Sequence, residues 1–256
     1  MIIWTKNSRK KILQDNNWII SKPIAHRGLH NKERPENSLG AFQAAAEHGY
    51  PIELDVRLSK DHEIMVFHDD DLSRATDINE PFENLSFSEL KKIKLFNTNE
   101  KIPAFIEVLE CVDGKVPLMI EVKSSKKNKI LAYKLCEILS NYKGNFAIKS
   151  FDPLVLSVIR KIKPEYLRGQ LSKKWVKNND DNVGPLKRFI LRNYLLNSLS
   201  VPDFYSYHIA DLPDKKISRF KRKNMVVIGW TAKNLQDYEK AKLYCDNVVF
   251  ENFTPA

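Results

Sequence analysis

Between Pro51 and His68 the chain reads PIELDVRLSKDHEIMVFH, an apolar run interrupted by two carboxylates, Glu53 and Asp55. Side chains two positions apart on a strand point to the same face. The two acids are therefore aimed at one place, where repulsion and loss of water both cost free energy. A bound cation removes both costs. The chain then turns at Lys60-Asp61-His62-Glu63 and returns as IMVFHD. With Asp61 and His62 as the two loop residues of a hairpin, Asp55 faces His68. A looser loop would slip that register.

The same reading of apolar runs predicts eight strands, at 23–28, 51–58, 117–123, 145–151, 166–172, 204–209, 225–230 and 247–251. Helical periodicity falls between most of them. SLGAFQAAAEHG (38–49) starts at an Asn37 or Ser38 cap and stops at Gly49. Further helices are expected at 86–94, 105–112, 128–142, 153–163, 214–223 and 234–244. Eight strands alternating with helices in a chain of this length predict a closed (β/α)8 barrel. Residues 1–22 are expected as an extension, with a helix laid on the barrel exterior, and 23–256 as the barrel. Residues 70–116 form an insertion after the second-strand hairpin. Polar residues gather at predicted C-terminal strand ends: His26-Arg27, Glu53-Asp55, Glu121-Lys123, Ser150, His208, Trp230 and Glu251. That is the face where such barrels keep their sites.

Charge adds a partner class. Lys and Arg exceed Asp and Glu by ten, and a basic surface attracts anions such as phosphate esters, phospholipid headgroups or nucleic acid. Cys111, Cys136 and Cys245 have no metal-like spacing and read as thiols of a reducing, cytoplasmic compartment. The first 22 residues mix charges with short apolar pieces, so no secretory signal is expected. No segment approaches the apolar length of a membrane span.

Glu121 and Lys123 repeat the two-apart logic on their own apolar strand. Glu53, Asp55 and Glu121 then converge on the barrel mouth, and an all-oxygen donor set suits a hard divalent cation, Ca2+ or Mg2+. Against these three acids stand two bases, Arg27 and Lys123, which leaves a residual negative charge for the ion. Both bases also suit phosphate oxygens, Arg as a fork and Lys as a point charge. His26 and His68 reach the same rim from separate segments. Two imidazoles flanking a phosphorus centre can divide the proton transfers. Glu36-Asn37 either orders the loop behind His26-Arg27 or caps the following helix, and capping is the expected role of Asn37.

HRG (26–28), PEN (35–37), IELDV (52–56), VFHDD (66–70), LSRATD (72–77), IEVK (120–123), SFDPLVL (150–156) and GWTAKN (229–234) together resemble the glycerophosphodiester phosphodiesterases. The resemblance covers residues 23–256 and implies a (β/α)8 barrel, a divalent cation and hydrolysis of glycerophosphodiesters to sn-glycerol 3-phosphate and an alcohol. It implies metal carboxylates at Glu53, Asp55 and Glu121, paired catalytic histidines at His26 and His68, and phosphate-binding bases at Arg27 and Lys123. Trp230 sits where the family puts an aromatic at the last-but-one strand end, which implies substrate contact. The insertion 70–116 matches one that covers the site and helps accept the glycerol end. His62 replaces a glycine usual in the turn. The ending FENFTP departs from the commoner aspartate-containing form, so no role falls on Glu251.

The segment 187–201, KRFILRNYLLNSLSV, has no counterpart in the family. It suits either an anionic membrane surface or a barrel-packing helix. The nearer rival function is a lysophospholipase D-like cleavage of lysophospholipids at a membrane. A nucleic-acid binder is disfavoured, because three acids at the mouth repel a polyanion. The oligomeric state is not legible.

Overall fold

Short runs rich in Ile, Val, Leu and Phe form nine strands among residues 16–175 and 183–255, which the computed structural model describes. Eight are parallel: β1 (Ile24–Ala25), β2 (Ile52–Leu58), β4 (Leu118–Val122), β5 (Phe146–Ser150), β6 (Arg168–Ser172), β7 (Phe204–His208), β8 (Val226–Ala232) and β9 (Asn247–Phe250). β1 pairs with β2 on one side and β9 on the other, so the ring closes. The expected (β/α)8 barrel is therefore the fold. The ninth strand, β3 (Ile64–Val66), runs antiparallel along β2.

β1 is shorter than its apolar run predicts. Arg27 takes a left-handed conformation with φ 54°, and Gly28 follows at φ 83°. A Cβ on Gly28 would lie 2.7 Å from the backbone of Ala41, so only glycine fits there. The chain thus leaves the barrel at His26, and the upper half of β2 is free to take β3 as its partner.

The hairpin register differs from the expectation. Val56 pairs with Val66 and Leu58 with Ile64. Asp55 therefore faces Phe67, whose N–H donates to the Asp55 carbonyl at 3.0 Å, and His68 lies one residue further on. The reason is a three-residue loop, Lys60-Asp61-His62, closed by Ser59 and Glu63. His62 fills its left-handed position at φ 69°.

Helices cover the barrel: α2 (Leu39–Glu47), α4 (Phe105–Val112), α5 (Asn128–Asn141), α6 (Pro153–Ile162), α9 (Lys215–Arg222) and α10 (Leu235–Lys242). Each amphipathic face buries its apolar stripe against the strands, as Leu131, Leu135 and Leu139 of α5 do. Truncating one of these, for example Leu135→Ala, costs about 2–5 kcal/mol. Starts are fixed by side chains: Ser38 Oγ accepts from Ala41 N at 3.2 Å and Asp152 Oδ1 from Leu154 N at 2.8 Å. Among the described residues no helix is long and apolar enough to cross a membrane.

Three segments depart from plain barrel. α1 (Trp18–Ser21) does not lie on the exterior. Its Ile19 is buried with Ile24, Met119, Phe204 and Val226 at the N-terminal strand ends, so it plugs the bottom of the barrel. Asn247 Nδ2 holds it there by donating to the Ile19 and Lys22 carbonyls at 2.7 Å. The rest of the predicted extension, residues 1–15, falls outside the described residues. The insertion carries its own small core of Phe67, Leu72, Phe82 and Leu90 and includes α3 (Phe87–Leu90), shorter than the predicted 86–94. Between β6 and β7 lie α7 (Pro185–Arg192) and α8 (Asn197–Ser200).

Candidate active site

Strand register builds the site. Asp55 on β2 pairs with Glu121 on β4, and Glu121 pairs with Lys149 on β5. Glu53 stands two residues below Asp55 on the same face. One carboxylate oxygen from each of Glu53, Asp55 and Glu121 lies within 4.8 Å of the other two, and all three residues are buried. Two oxygens on one ion at about 2.4 Å are separated by at most about 4.8 Å, so the trio fits a single hard cation such as Ca2+.

The charge balance is not the expected one. A third base, Lys149, sits under the trio and is only 2% exposed. Its Nζ lies 2.8 Å from Glu53 Oε1 and 3.6 Å from Glu121 Oε2. Lys123 Nζ bridges Asp55 Oδ1 at 2.8 Å and Glu121 Oε1 at 2.5 Å. Arg27 Nε lies 3.3 Å from Asp55 Oδ2, and the Arg27 backbone N–H donates to Glu53 Oε2 at 3.2 Å. Three acids thus face three bases, so the trio taken with these bases carries no residual negative charge. The case for a cation rests on the oxygen spacing and donor chemistry instead.

Titration follows this packing. Burial alone would raise the Asp55 carboxyl, but Lys123, His68 and Arg27 overcome it and hold it well below the ordinary value. Glu121 is likewise held low against burial by Lys123, helped by Lys149 and opposed by Asp55. Burial works against the Lys149 ammonium, yet Glu53 and Glu121 keep it above its ordinary value. Asp55 and Glu121 are therefore ionised and Lys149 protonated at neutral pH.

His26 and His68 flank the trio. His26 Nε2 is 3.9 Å from Glu53 Oε2, and His68 is close enough to Asp55 to favour its charge. Each imidazole has a carboxylate on its Nδ1. Glu251 Oε2 lies 2.5 Å from His26 Nδ1, and Asp69 Oδ1 lies 2.6 Å from His68 Nδ1. A carboxylate only accepts, so Nδ1 carries a proton and Nε2 is left toward the site. Arg74 donates to Asp69 Oδ2 at 2.6 Å and to Glu36 Oε1 at 2.5 Å, while Arg27 also donates to Glu36 at 2.5 Å. The insertion is thereby tied to the loop behind His26.

Asn37 corrects another expectation. Ser38 caps α2, and Asn37 instead donates from Nδ2 to Asp55 Oδ2 at 2.9 Å. Its backbone N–H donates to the Arg27 carbonyl at 3.0 Å. Asn37 therefore orders the loop and steadies a carboxylate of the trio. Trp230, at the C-terminal half of β8, stacks edge-on to Phe151 with centroids 5.7 Å apart and packs against His208 at 4.8 Å. Beside Glu36 and Glu251 opens a cleft of about 800 Å3, walled by Phe96 of the insertion and Phe253.

Lys149, Glu251 and Asp69 were not among the predicted site residues. Lys149 had a signal: a lysine on an apolar strand, one residue before the flagged Ser150 and on the face that alternation directs opposite to Ile148. Glu251 was visible as a charged strand end, but the departing C-terminal motif gave it no role. It also lies 3.7 Å from His30 Nε2 and 3.2 Å from Lys233 Nζ. Burial raises its carboxyl, and the bond from His26, with His30 and Lys233 nearby, pulls it far below the ordinary range.

The closed barrel thus gathers acids, bases and imidazoles at its mouth, the face where barrel enzymes keep their active sites. The profile of the glycerophosphoryl diester phosphodiesterase family matches residues 26–253. A glycerophosphodiester phosphodiesterase of Caldanaerobacter subterraneus subsp. tengcongensis is 31% identical over 232 residues, spanning 85% of this chain and 88% of that protein. The chain belongs to the glycerophosphoryl diester phosphodiesterase family. A lysophospholipase D of Rattus norvegicus is 32% identical over 137 residues, 48% of this chain and 42% of that protein. A solved phosphodiesterase of Oleispira antarctica, in complex with the product sn-glycerol-3-phosphate, shares the fold with a TM-score of 0.75 at 23% identity. The match covers 91% of this chain and 93% of that one.

Proposed function

We propose that this chain hydrolyses glycerophosphodiesters to sn-glycerol 3-phosphate and an alcohol, with Glu53, Asp55 and Glu121 holding Ca2+ or Mg2+. The observation that carries the reading is the convergence of three buried carboxylates with an imidazole on either flank. When bound, the ion supplies Lewis-acid polarisation of a phosphoryl oxygen. Arg27 and Lys123 exchange carboxylate oxygens for phosphate oxygens and offset charge developing on them. One of His26 and His68 takes a proton at Nε2 from the nucleophile, and the other gives one to the leaving alkoxide. Glu251 and Asp69 fix the tautomers that leave Nε2 available. Trp230 offers an apolar wall to the substrate. Three free thiols, Cys111, Cys136 and Cys245, support a reducing, cytoplasmic setting.

The test is release of glycerol 3-phosphate from a panel of glycerophosphodiesters, with and without chelator. Release that chelator abolishes and Ca2+ or Mg2+ restores is the expected result. No release from any member in the presence of either ion would overturn the reading. A second reading, cleavage of lysophospholipids, is favoured by exposed Leu186 and Phe189 on α7. Turnover that rises with acyl-chain length would select it.

A further inference from the structure

Between β6 and β7, the helices α7 and α8 are neither wholly buried nor ordinary surface. Leu191 of α7 is buried, while Leu186, Phe189, Leu195 and Leu199 stand out at 73%, 59%, 53% and 47% exposure. From Val183 to Val201 the chain has three cations and no acid. Against it packs α9, whose stretch Lys215–Asn224 has six cations and no acid. Phe189 and Leu195 form the lip of a cleft of about 570 Å3 floored by Tyr205 and Phe220. Lys216 and Arg219 of α9, with Lys223 just beyond its end, rim the same cleft. The neighbouring acids have partners on this face: Asp214 caps α9, and Asp246 lies 3.8 Å from Lys221 Nζ.

We propose that this face docks the enzyme on an anionic lipid bilayer. Its chemistry selects that partner. Exposed aliphatic and phenyl groups gain by entering the acyl boundary, and cations around them gain from anionic headgroups. A second copy of the chain would bring a like-charged face against this one. Nucleic acid would satisfy the cations and leave Leu186, Phe189 and Leu195 in water. None of the residues concerned belongs to the barrel mouth, so docking is separable from the hydrolytic reading.

The test is co-sedimentation of the full chain with vesicles of phosphatidylcholine alone, or with about 30% phosphatidylglycerol added. Binding is expected only to the anionic vesicles, and it should weaken as salt screens the cations. Leu186→Glu combined with Phe189→Glu should weaken partitioning about tenfold or more, because two charges would enter the interface. Turnover of soluble substrate and the unfolding midpoint should be unchanged, since both side chains are exposed. The proposal is overturned if wild-type protein ignores anionic vesicles at low salt, or if the double variant binds as tightly as wild type. It is also overturned if light scattering shows a dimer that the double variant loses, or if the chain is retained on DNA and not on vesicles.

Discussion

Replacing Lys149 by methionine tests the charge arrangement at the mouth most directly. The ammonium is 2% exposed and lies 2.8 Å from Glu53 and 3.6 Å from Glu121. Methionine keeps most of the length of the side chain, one atom shorter, and removes its charge. In chelator, two buried carboxylates then lose a counter-charge, and breaking a buried pair in this way costs about 3–5 kcal/mol. For a chain of this size, about 3 kcal/mol lowers the unfolding midpoint by about 6–12 °C. A divalent cation held by Glu53, Asp55 and Glu121 supplies the missing charge. At about 100 times its dissociation constant it returns about 2.7 kcal/mol. The variant should gain more from the ion than wild type does, because its carboxylates are not already occupied by an ammonium. The assay is thermal unfolding followed by circular dichroism, in chelator and in Ca2+ or Mg2+. A midpoint deficit equal in both conditions would refute the reasoning, as would no deficit in chelator.

Three further outcomes are expected. His26→Ala and His68→Ala should each lower turnover by about 10²–10⁴-fold while the protein stays folded, with a somewhat lower unfolding midpoint because Glu251 or Asp69 loses its partner; near-normal rates in either variant would end the proposed division of proton transfers. Glu251→Ala should lower kcat on the order of tenfold or more with little change in KM, since the imidazole loses its fixed tautomer and not its substrate contacts. Glu251→Gln, which can still accept from Nδ1, should recover part of that loss. Asp69 is pulled from 3.8 to about 2, against burial, by its bonds to His68 and Arg74. A depressed folded pKa contributes stability that is complete above about 4 and lost as pH falls toward about 2. Asp69→Asn should therefore flatten the midpoint-against-pH curve in that window.

What the chain reveals before folding is set by how local each signal is. Helix 105–112 could be read to the residue because Phe105, Val108, Leu109 and Val112 share one stripe and the next residue, Asp113, turns left-handed at φ 48°. The Glu53–Asp55 pair could be read because two-apart spacing on a strand is a property of three consecutive residues, whereas Glu121 joins them through the register of β4 beside β2. The hairpin register was not legible, since it depends on whether His62 accepts φ 69°, and histidine gives a weaker signal for that than glycine. Asn37 was misassigned for a similar reason. It too is left-handed, at φ 58°, and that conformation turns its amide to Asp55 while Ser38 takes the cap. Lys149 and Glu251 need the closed ring to be recognised. Lys149 acts through register with Glu121, and Glu251 acts through β9 lying beside β1.

Electroneutrality at the mouth changes what the cation is for. With Arg27, Lys123 and Lys149 already matching Glu53, Asp55 and Glu121, the protein does not need an ion to tolerate its buried acids. With a divalent ion bound, these six groups would carry two surplus positive charges. A phosphodiester carries one negative charge and removes half of that surplus, so ion and substrate each strengthen the binding of the other. The monoester left after cleavage carries close to two charges at neutral pH and cancels the surplus almost entirely. The arrangement thus favours charge as it builds on the phosphoryl oxygens, which is the direction hydrolysis takes. On the proposed reaction, departure of the phosphomonoester product would be the step against which this electrostatic gain works.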